Sequence, residues 1–197
     1  MIAIPQFLSP QDYLEQEKQS PIKHEYIDGQ VYAMAGASDA HVTIVLNLAS
    51  ELRSHLRGLG CRGYISDMKA RINETRYYYP DLLVTCDPRD TETPYYKQYP
   101  TLIVEVLSDT TEAFDRGDKF LDYQTRDTLQ EYVLINSRQQ RVETFRRNNE
   151  GLWVMQVYTP EISPHFELRS IDYTGTFDLL YEDVVFEPRE DNNGQSD

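Results

Sequence analysis

Apolar residues change their period several times along the chain, and each change marks an element. Ser9-Pro10-Gln11-Asp12 predicts a helix start, with Ser9 as the cap and Pro10 at the first helical position, where no N–H is needed. His24-Glu25-Tyr26-Ile27 and Gln30-Val31-Tyr32-Ala33-Met34 are β-prone runs on either side of Asp28-Gly29. A two-residue Asp-Gly link predicts a tight hairpin, because both turn positions require positive φ. Val45, Leu48, Ala49, Leu52 and Leu56 then recur at helical spacing. They predict a helix from Ser38 or Asp39 to about Arg57 with one buried stripe, stopped by Gly58 and Gly60.

Beyond that point the pattern turns to strands, expected over 63–67, 69–73, 79–86 and 102–107. A helix is expected from Thr110 or Thr111 to about Arg126, then a strand over 131–135. Segments 141–146 and 152–158 read as a hairpin around Asn148-Asn149-Glu150-Gly151, and 177–185 as a short helix or turn packed by its leucines. Residues 188–197 contain no apolar side chain and are expected to form a disordered acidic tail. The order of elements predicts a single domain over 1–187 of the α/β (α+β) class, with a central mixed β-sheet flanked by helices.

Composition narrows the function classes. Hydrophobic residues at 40 % and aromatics at 12 % exclude a disordered chain. Mean hydropathy of −0.61, with no apolar run approaching the ~18–20 residues of a bilayer span, argues against a membrane protein. Met1-Ile2-Ala3-Ile4-Pro5 lacks a basic region and a long apolar stretch, so no signal peptide is expected. Two cysteines, Cys61 and Cys86, make no disulfide framework, and a cytoplasmic location is expected. The 33 acids outnumber 19 Lys and Arg, for a net charge of −14. That balance opposes nucleic-acid binding, which uses cations against phosphate. The charge is uneven, however: 51–76 carries +3 and 136–150 carries +2, on either side of an acidic centre. These segments are either ordinary solvated faces or a basic rim around an acidic site.

The chemistry concentrates between Tyr77 and Tyr123. Pro80-Asp81 precedes the buried-type run Leu82-Leu83-Val84-Thr85-Cys86, and Glu105 interrupts the apolar run Leu102-Ile103-Val104-Glu105-Val106-Leu107. A carboxylate inside such a strand is costly to bury unless a cation or hydrogen bonds compensate it. On antiparallel neighbours Asp81 and Glu105 would lie side by side, a pair suited to a hard divalent cation such as Mg²⁺ or Mn²⁺. Lys119 is the candidate cation, since Asp115, Lys119 and Tyr123 share a helix face; the alternative is an exposed Asp115–Lys119 pair of a few tenths of a kcal/mol.

Tyr79-Pro80-Asp81 followed by Val104-Glu105-Val106 resembles the PD-(D/E)XK pattern of restriction-endonuclease-like nucleases. The whole order is similar to that of a large bacterial family described as restriction endonucleases, of unknown function. The matching pieces include His24 to Gly29, His41, Ser66-Asp67-Met68-Lys69, Tyr79-Pro80-Asp81, Ile103 to Ser108, Asp115, Lys119, Tyr123 and Glu131 to Ile135, spread over about residues 8–187. The resemblance implies a restriction-endonuclease-like fold on which Asp81 and Glu105 bind a divalent metal, with Glu25 as an additional acid. It departs at Leu107, which stands where the superfamily places its lysine; the resemblance implies that Lys119 takes that role from the following helix.

Other residues carry plainer readings. Asp67-Met68-Lys69 reads mainly as a sheet strand, Glu25 equally as a surface acid or a site residue, and His41 as a structural histidine near a helix start. His24, His55 and His165 have no partner at zinc-ligand spacing, and Cys86 reads as a small core residue. No Gly-X-Ser-X-Gly elbow and no phosphate-cradling glycine loop occurs. Of the 15 tyrosines, Tyr77-Tyr78-Tyr79 and Tyr95-Tyr96 are expected to pack or meet a second copy rather than stack on bases, and a homodimer is expected. Three functions follow, in order. The first is a Mg²⁺- or Mn²⁺-dependent endonuclease on DNA, with Asp81 and Glu105 as ligands, Lys119 as transition-state stabiliser and Glu25 in support. The second is a catalytically weak or inactive binding protein on the same fold, and the third a metal-dependent phosphohydrolase of small molecules.

Overall fold

The computed structural model describes residues 7–186. Ser9 accepts the Asp12 N–H at 3.1 Å and opens α1 (Pro10–Glu17). The Asp-Gly hairpin joins β1 (His24–Ile27) to β2 (Gln30–Ala33), with Asp28 at φ 48° and Gly29 at φ 94°. Ser38 caps α2 (Asp39–His55), which buries Ile44, Val45, Leu48 and Leu52. Ala49, expected in the stripe, is only partly buried, and Ile44 stands in the core. Then follow β3 (Arg62–Ile65), β4 (Lys69–Asn73), β5 (Arg76–Tyr78), β6 (Leu82–Thr85), β7 (Tyr96–Lys97) and β8 (Pro100–Leu107).

The helix expected over 110–126 breaks at Gly117 into α3 (Glu112–Arg116) and α4 (Asp118–Gln124). A Cβ at Gly117 would lie 3.0 Å from the Ala113 carbonyl oxygen, so the tight break suits glycine. The chain closes with β9 (Glu131–Asn136), β10 (Val142–Arg147), β11 (Trp153–Tyr158), β12 (His165–Leu168), β13 (Tyr173–Thr176) and α5 (Phe177–Leu180). In α5, Phe177 and Leu180 are buried while Leu179 is exposed. The tail expected over 188–197 lies outside the described residues.

The class is mixed α+β, but the strands divide between a five-stranded sheet, β2-β1-β5-β4-β7, and a six-stranded sheet, β11-β10-β9-β8-β6-β3, beside the β12–β13 hairpin. Both larger sheets are mixed: β8–β9 and β4–β7 run parallel among antiparallel neighbours. Between β5 and β6 the segment Tyr79-Pro80-Asp81 passes from one sheet to the other. Pro80 has no N–H for a ladder, which is why the strand expected from Tyr79 starts only at Leu82.

β8 is central to the larger sheet, and its two faces have different covers. Leu102, Val104 and Val106 pack in one core with the α2 stripe; Ile103 and Leu107 pack in a second with Phe120 and Tyr123 of α4. Each such side chain contributes about 1.5–3 kcal/mol of burial. Glu105 shares the parity of Ile103 and Leu107 and so points toward α4. A third cluster, Tyr13, Tyr26 and Tyr77, holds α1 on the smaller sheet, with the Tyr13 and Tyr26 rings stacked at 4.8 Å. Tyr77, Tyr78 and Tyr79 are all buried, the packing use expected of them.

The cysteines depart from expectation. Cys86 is exposed just beyond β6 and is disulfide-bonded to Cys61, just before β3. The β3–β6 register pairs Arg62 with Thr85 and so brings the flanking cysteines opposite each other. Cys86 is therefore not a core thiol, and a reducing compartment loses the support it drew from cysteine usage.

Candidate active site at the junction of the sheets

The antiparallel register Leu82↔Val104 sets Asp81 beside Glu105, one on the crossing segment and the other on the central strand. The Asp81 N–H donates to Glu105 Oε2 at 3.4 Å, and Asp81 Oδ2 accepts the Val106 N–H at 2.7 Å. Glu25 enters from β1 in the other sheet, where its Oε1 accepts the Tyr79 N–H at 3.1 Å. Both the crossing segment and Glu25 are thus fixed by backbone donors, which need no side chain to be ordered first.

Lys119 joins these groups from α4. Its Nζ lies 2.9 Å from Glu105, 3.2 Å from Glu25 and 3.3 Å from Asp115. An ammonium has three donors, and each has a carboxylate here. The Tyr123 hydroxyl adds a donor to Glu105 at 3.4 Å. Burial is graded: the Glu105, Asp115 and Lys119 side chains are 3 %, 4 % and 6 % exposed, against 17 % for Asp81. Asp81 forms the mouth and the lysine cluster the floor.

Electrostatics follow that gradient. Burial alone would push the Lys119 ammonium down, but Glu105, Glu25 and Asp115 hold it well above its ordinary value, so it is charged. Burial pushes the Glu105 carboxyl well up, Lys119 opposes this, and Asp115 and Asp81 add to the rise. Several acids thus crowd one ammonium, and burial makes the Glu105 carboxyl slow to give up its proton.

Asp81, Glu105, Lys119 and Glu25, each expected at a site, are brought into one connected cluster. Two members read otherwise from sequence alone. Asp115, whose alternative was an exposed partner of Lys119, is buried inside the cluster from α3; the expected helix face shared with Lys119 and Tyr123 was the available signal. His41, read as structural, places Nε2 at 2.9 Å from Asp81 Oδ1 while its buried Nδ1 has no hydrogen-bond partner. The first turn of α2 therefore serves the mouth of the site. The Asp67–Lys69 string stays outside: Asp67 pairs with Lys23, and Lys69 donates to the Tyr79 hydroxyl at 3.0 Å.

The basic rim is narrower than the sequence segments suggested. Arg138 pairs with Asp109 and Glu112, Arg141 with Glu143, Arg146 with Glu131, and Arg147 donates to backbone carbonyls. Arg71 and Arg76 are likewise paired with acids. Among the described residues, Arg53, Arg57 and Arg62 are exposed and without an acidic or hydrogen-bonding partner. Arg53 is in the last turn of α2, Arg57 just beyond it and Arg62 at the start of β3; the 17 residues of α2 span ~25 Å from the His41 end.

Among the described residues no group of three or more His, Cys, Asp or Glu side chains is arranged to hold a metal ion, so a closed protein cage is absent. The donors present nevertheless fit Mg²⁺ or Mn²⁺ in kind. Asp81, just before β6, and Glu105 on β8 offer hard carboxylate oxygens side by side, and Mg²⁺ is commonly held by one or two carboxylates, completed by water and substrate phosphate. No helix of the described residues is long and apolar enough to cross a membrane.

A mixed fold with carboxylates and a lysine gathered where two sheets meet defines a nuclease-like protein, and comparison with known proteins agrees. Residues 10–171 match the model of the Uma2 family, described as "Putative restriction endonuclease", and the chain belongs to that family. It is 41 % identical over 180 residues to the uncharacterised protein slr1290 of Synechocystis sp., covering 91 % of this chain and 94 % of that one. A second uncharacterised Synechocystis protein, sll1609, is 34 % identical over 158 residues, covering 79 % and 89 %. Among solved structures, a chain from Anabaena variabilis described as "a putative nuclease belonging to DUF820" has the same fold, with a TM-score of 0.70 at 16 % identity over 88 % of this chain and 97 % of that one.

Proposed function

We propose that the chain is a divalent-metal-dependent endonuclease that hydrolyses DNA phosphodiester bonds. The observation that carries this reading is the Asp81–Glu105 pair across β6 and β8, with the Lys119 ammonium 2.9 Å from Glu105. Asp81 and Glu105 would hold Mg²⁺ or Mn²⁺, an ion that supplies charge stabilisation of a phosphoryl oxygen and a more acidic water. His41 and the Val106 N–H orient the two oxygens of Asp81, so the carboxylate nearest solvent presents a fixed face. Lys119 has its tightest contact to Glu105 and looser ones to Glu25 and Asp115. A phosphoryl oxygen displacing a looser contact would meet an ammonium aimed at developing negative charge. Glu25 keeps Lys119 in place and is the acid contributed by the smaller sheet. Cutting both strands of a duplex needs two such sites, so the working unit is read as a homodimer.

The test incubates the purified chain with supercoiled and linear DNA in Mg²⁺ or Mn²⁺, beside Asp81→Asn and Lys119→Met. Asp81→Asn keeps the side chain's size and should lower metal-dependent cleavage at least about 100-fold. Cleavage unchanged in that variant would remove the assignment. A second reading, a nuclease fold kept as a binding protein, is favoured by Leu107 and by the commitment of all three Lys119 donors to carboxylates. Metal binding by calorimetry without cleavage of any nucleic acid would select it.

A further inference from the structure

A cavity of about 620 Å³ opens beside the lysine cluster and has Glu25 in its wall. Its lining comes from the β1–β2 hairpin, β5 and helices α3 and α4. Its size falls within the range of small-molecule sites, ~300–1,000 Å³. Tyr32, Phe114 and Leu121 line it, and two of them carry large apolar surface into solvent: Tyr32 is 49 % and Leu121 60 % exposed. An apolar wall left open beside a catalytic cluster suits a flat aromatic occupant.

The polar groups of the cavity specify more. Asp122 is taken up by Arg76 and the Tyr78 hydroxyl, Arg76 also by Asp28, and Glu25 by Lys119 and the Tyr79 N–H. Asp118, at the start of α4, is exposed and has no hydrogen-bonding or ionic partner among the described residues. The free polar function is therefore a hydrogen-bond acceptor, and three carboxylates against one guanidinium repel phosphate from the cavity.

We infer that this cavity receives an unstacked nucleobase of the DNA strand held at Asp81 and Glu105, with guanine the preferred base. The inference rests on the nuclease reading and adds a base-recognising pocket to it. Guanine presents N1–H and an N2 amino group in a fork that matches one carboxylate, whereas thymine offers a single N–H between two carbonyl oxygens that a carboxylate repels. Tyr32 and Phe114 supply the aromatic surface on which a base removed from its stack regains contact. The phosphates stay outside, on the Asp81 side. A base inside a duplex cannot enter without leaving its stack, so cleavage should favour single strands and sites where guanine is unpaired.

The test uses the full chain, without metal, titrated with deoxyguanosine and thymidine by calorimetry and by saturation-transfer NMR. Deoxyguanosine should bind with about tenfold preference over thymidine, the discrimination one forked pair supplies. Leu121→Arg, a change at an exposed position that fills the cavity, should abolish binding, and Asp118→Asn should remove the preference, both with the thermal midpoint retained. Equal binding of the two nucleosides, no binding at millimolar nucleoside, or binding untouched by Leu121→Arg would each overturn the inference, even where DNA is cleaved. Selective binding without any Asp81-dependent cleavage would keep the pocket and overturn the nuclease reading instead.

Discussion

The Lys119 ammonium lies 2.9 Å from Glu105 although it reaches the strand from the helix packed over it, not from the strand itself. Glu105 and Leu107 share one face of β8, and Leu107 is only 2 % exposed, packed with Phe120 and Tyr123. A lysine two positions beyond Glu105 would have to share that face; here the position is spent on core packing. The same helix that buries Leu107 carries Lys119 one residue before Phe120, so the covering element delivers both the packing and the charge. The break at Gly117 still leaves Asp115, on the preceding turn, 3.3 Å from the same ammonium.

Replacing Lys119 should therefore cost stability as well as activity. Lys119→Met keeps the length of the apolar stem but leaves Glu105 and Asp115 buried without a cation, a loss of about 3–5 kcal/mol. Urea denaturation measures it. Adding Glu105→Gln should recover part of the loss, because one of the stranded carboxylates is then neutral, and the two changes should be strongly non-additive. Additive effects would mean that the two residues do not act on each other.

Much of this site was legible before any coordinates, and the reasons are local. Glu105 stands out because apolar residues flank it on both sides, and the Asp28-Gly29 turn and the α2 stripe follow from turn chemistry and helical period. The two-sheet division was not legible, because β5 and β7 are short, β5 also pairs with the sequence-distant β1, and β7 runs parallel to β4. Nor was the Cys61–Cys86 bond, which depends on the β3–β6 register rather than on cysteine number. His41 needed the position of α2 relative to the crossing segment, a tertiary fact. The charge segments misled for a related reason: Arg71, Arg76, Arg138, Arg141 and Arg146, counted as free cations, are paired with acids, and Arg147 donates to backbone carbonyls.

Glu143 links stability to pH. Its side chain is 2 % exposed between Arg116, at 2.6 Å, and Arg141, at 2.7 Å. Burial pushes the carboxyl up, but the two guanidiniums outweigh it and hold the group below its ordinary value of 4.5. The folded value lies below the unfolded one, so this stabilisation is complete above the unfolded pKa and is lost as pH falls through the folded value. Arg116 follows Asp115 directly, so the clamp also steadies the turn that feeds the site. Thermal midpoints recorded from pH 7 down to pH 3 should fall less steeply in Glu143→Gln than in the wild type, while Glu143→Gln should be the less stable protein at pH 7.

The disulfide closes a 25-residue separation that includes β4, β5 and the Tyr79-Pro80-Asp81 crossing. Loop-closure entropy assigns it about 3 kcal/mol, within the usual range for a native bond of that span. Thermal unfolding with and without a phosphine reductant should show a lower midpoint when reduced, and Cys61→Ser with Cys86→Ser should match the reduced protein and no longer respond to reductant. An unchanged midpoint would mean that the β3–β6 pairing already restricts this segment without the bond.

The unpaired arginines make the last prediction, on salt. With a net charge of −14, binding to DNA must concentrate on the few cations not already matched by acids. Arg53, Arg57 and Arg62 meet that condition; Arg53 and Arg57 sit at the end of α2 remote from His41, ~25 Å along the helix, and Arg62 opens β3. That distance is under one turn of a duplex, ~34 Å, so one DNA segment can reach both the arginines and the site. Each arginine that contacts a phosphate adds about one to the slope of log affinity against log salt. Affinity measured by fluorescence anisotropy in Ca²⁺, chosen to limit cleavage, should thus fall steeply with salt in the wild type. Arg57→Ala and Arg62→Ala should each flatten the slope by about one and weaken binding to all sequences alike. Arg138→Ala, which removes a cation already paired with Asp109 and Glu112, should leave the slope unchanged. The reverse order of effects would place the DNA at the β9–β10 connection that carries Arg138, and not along α2.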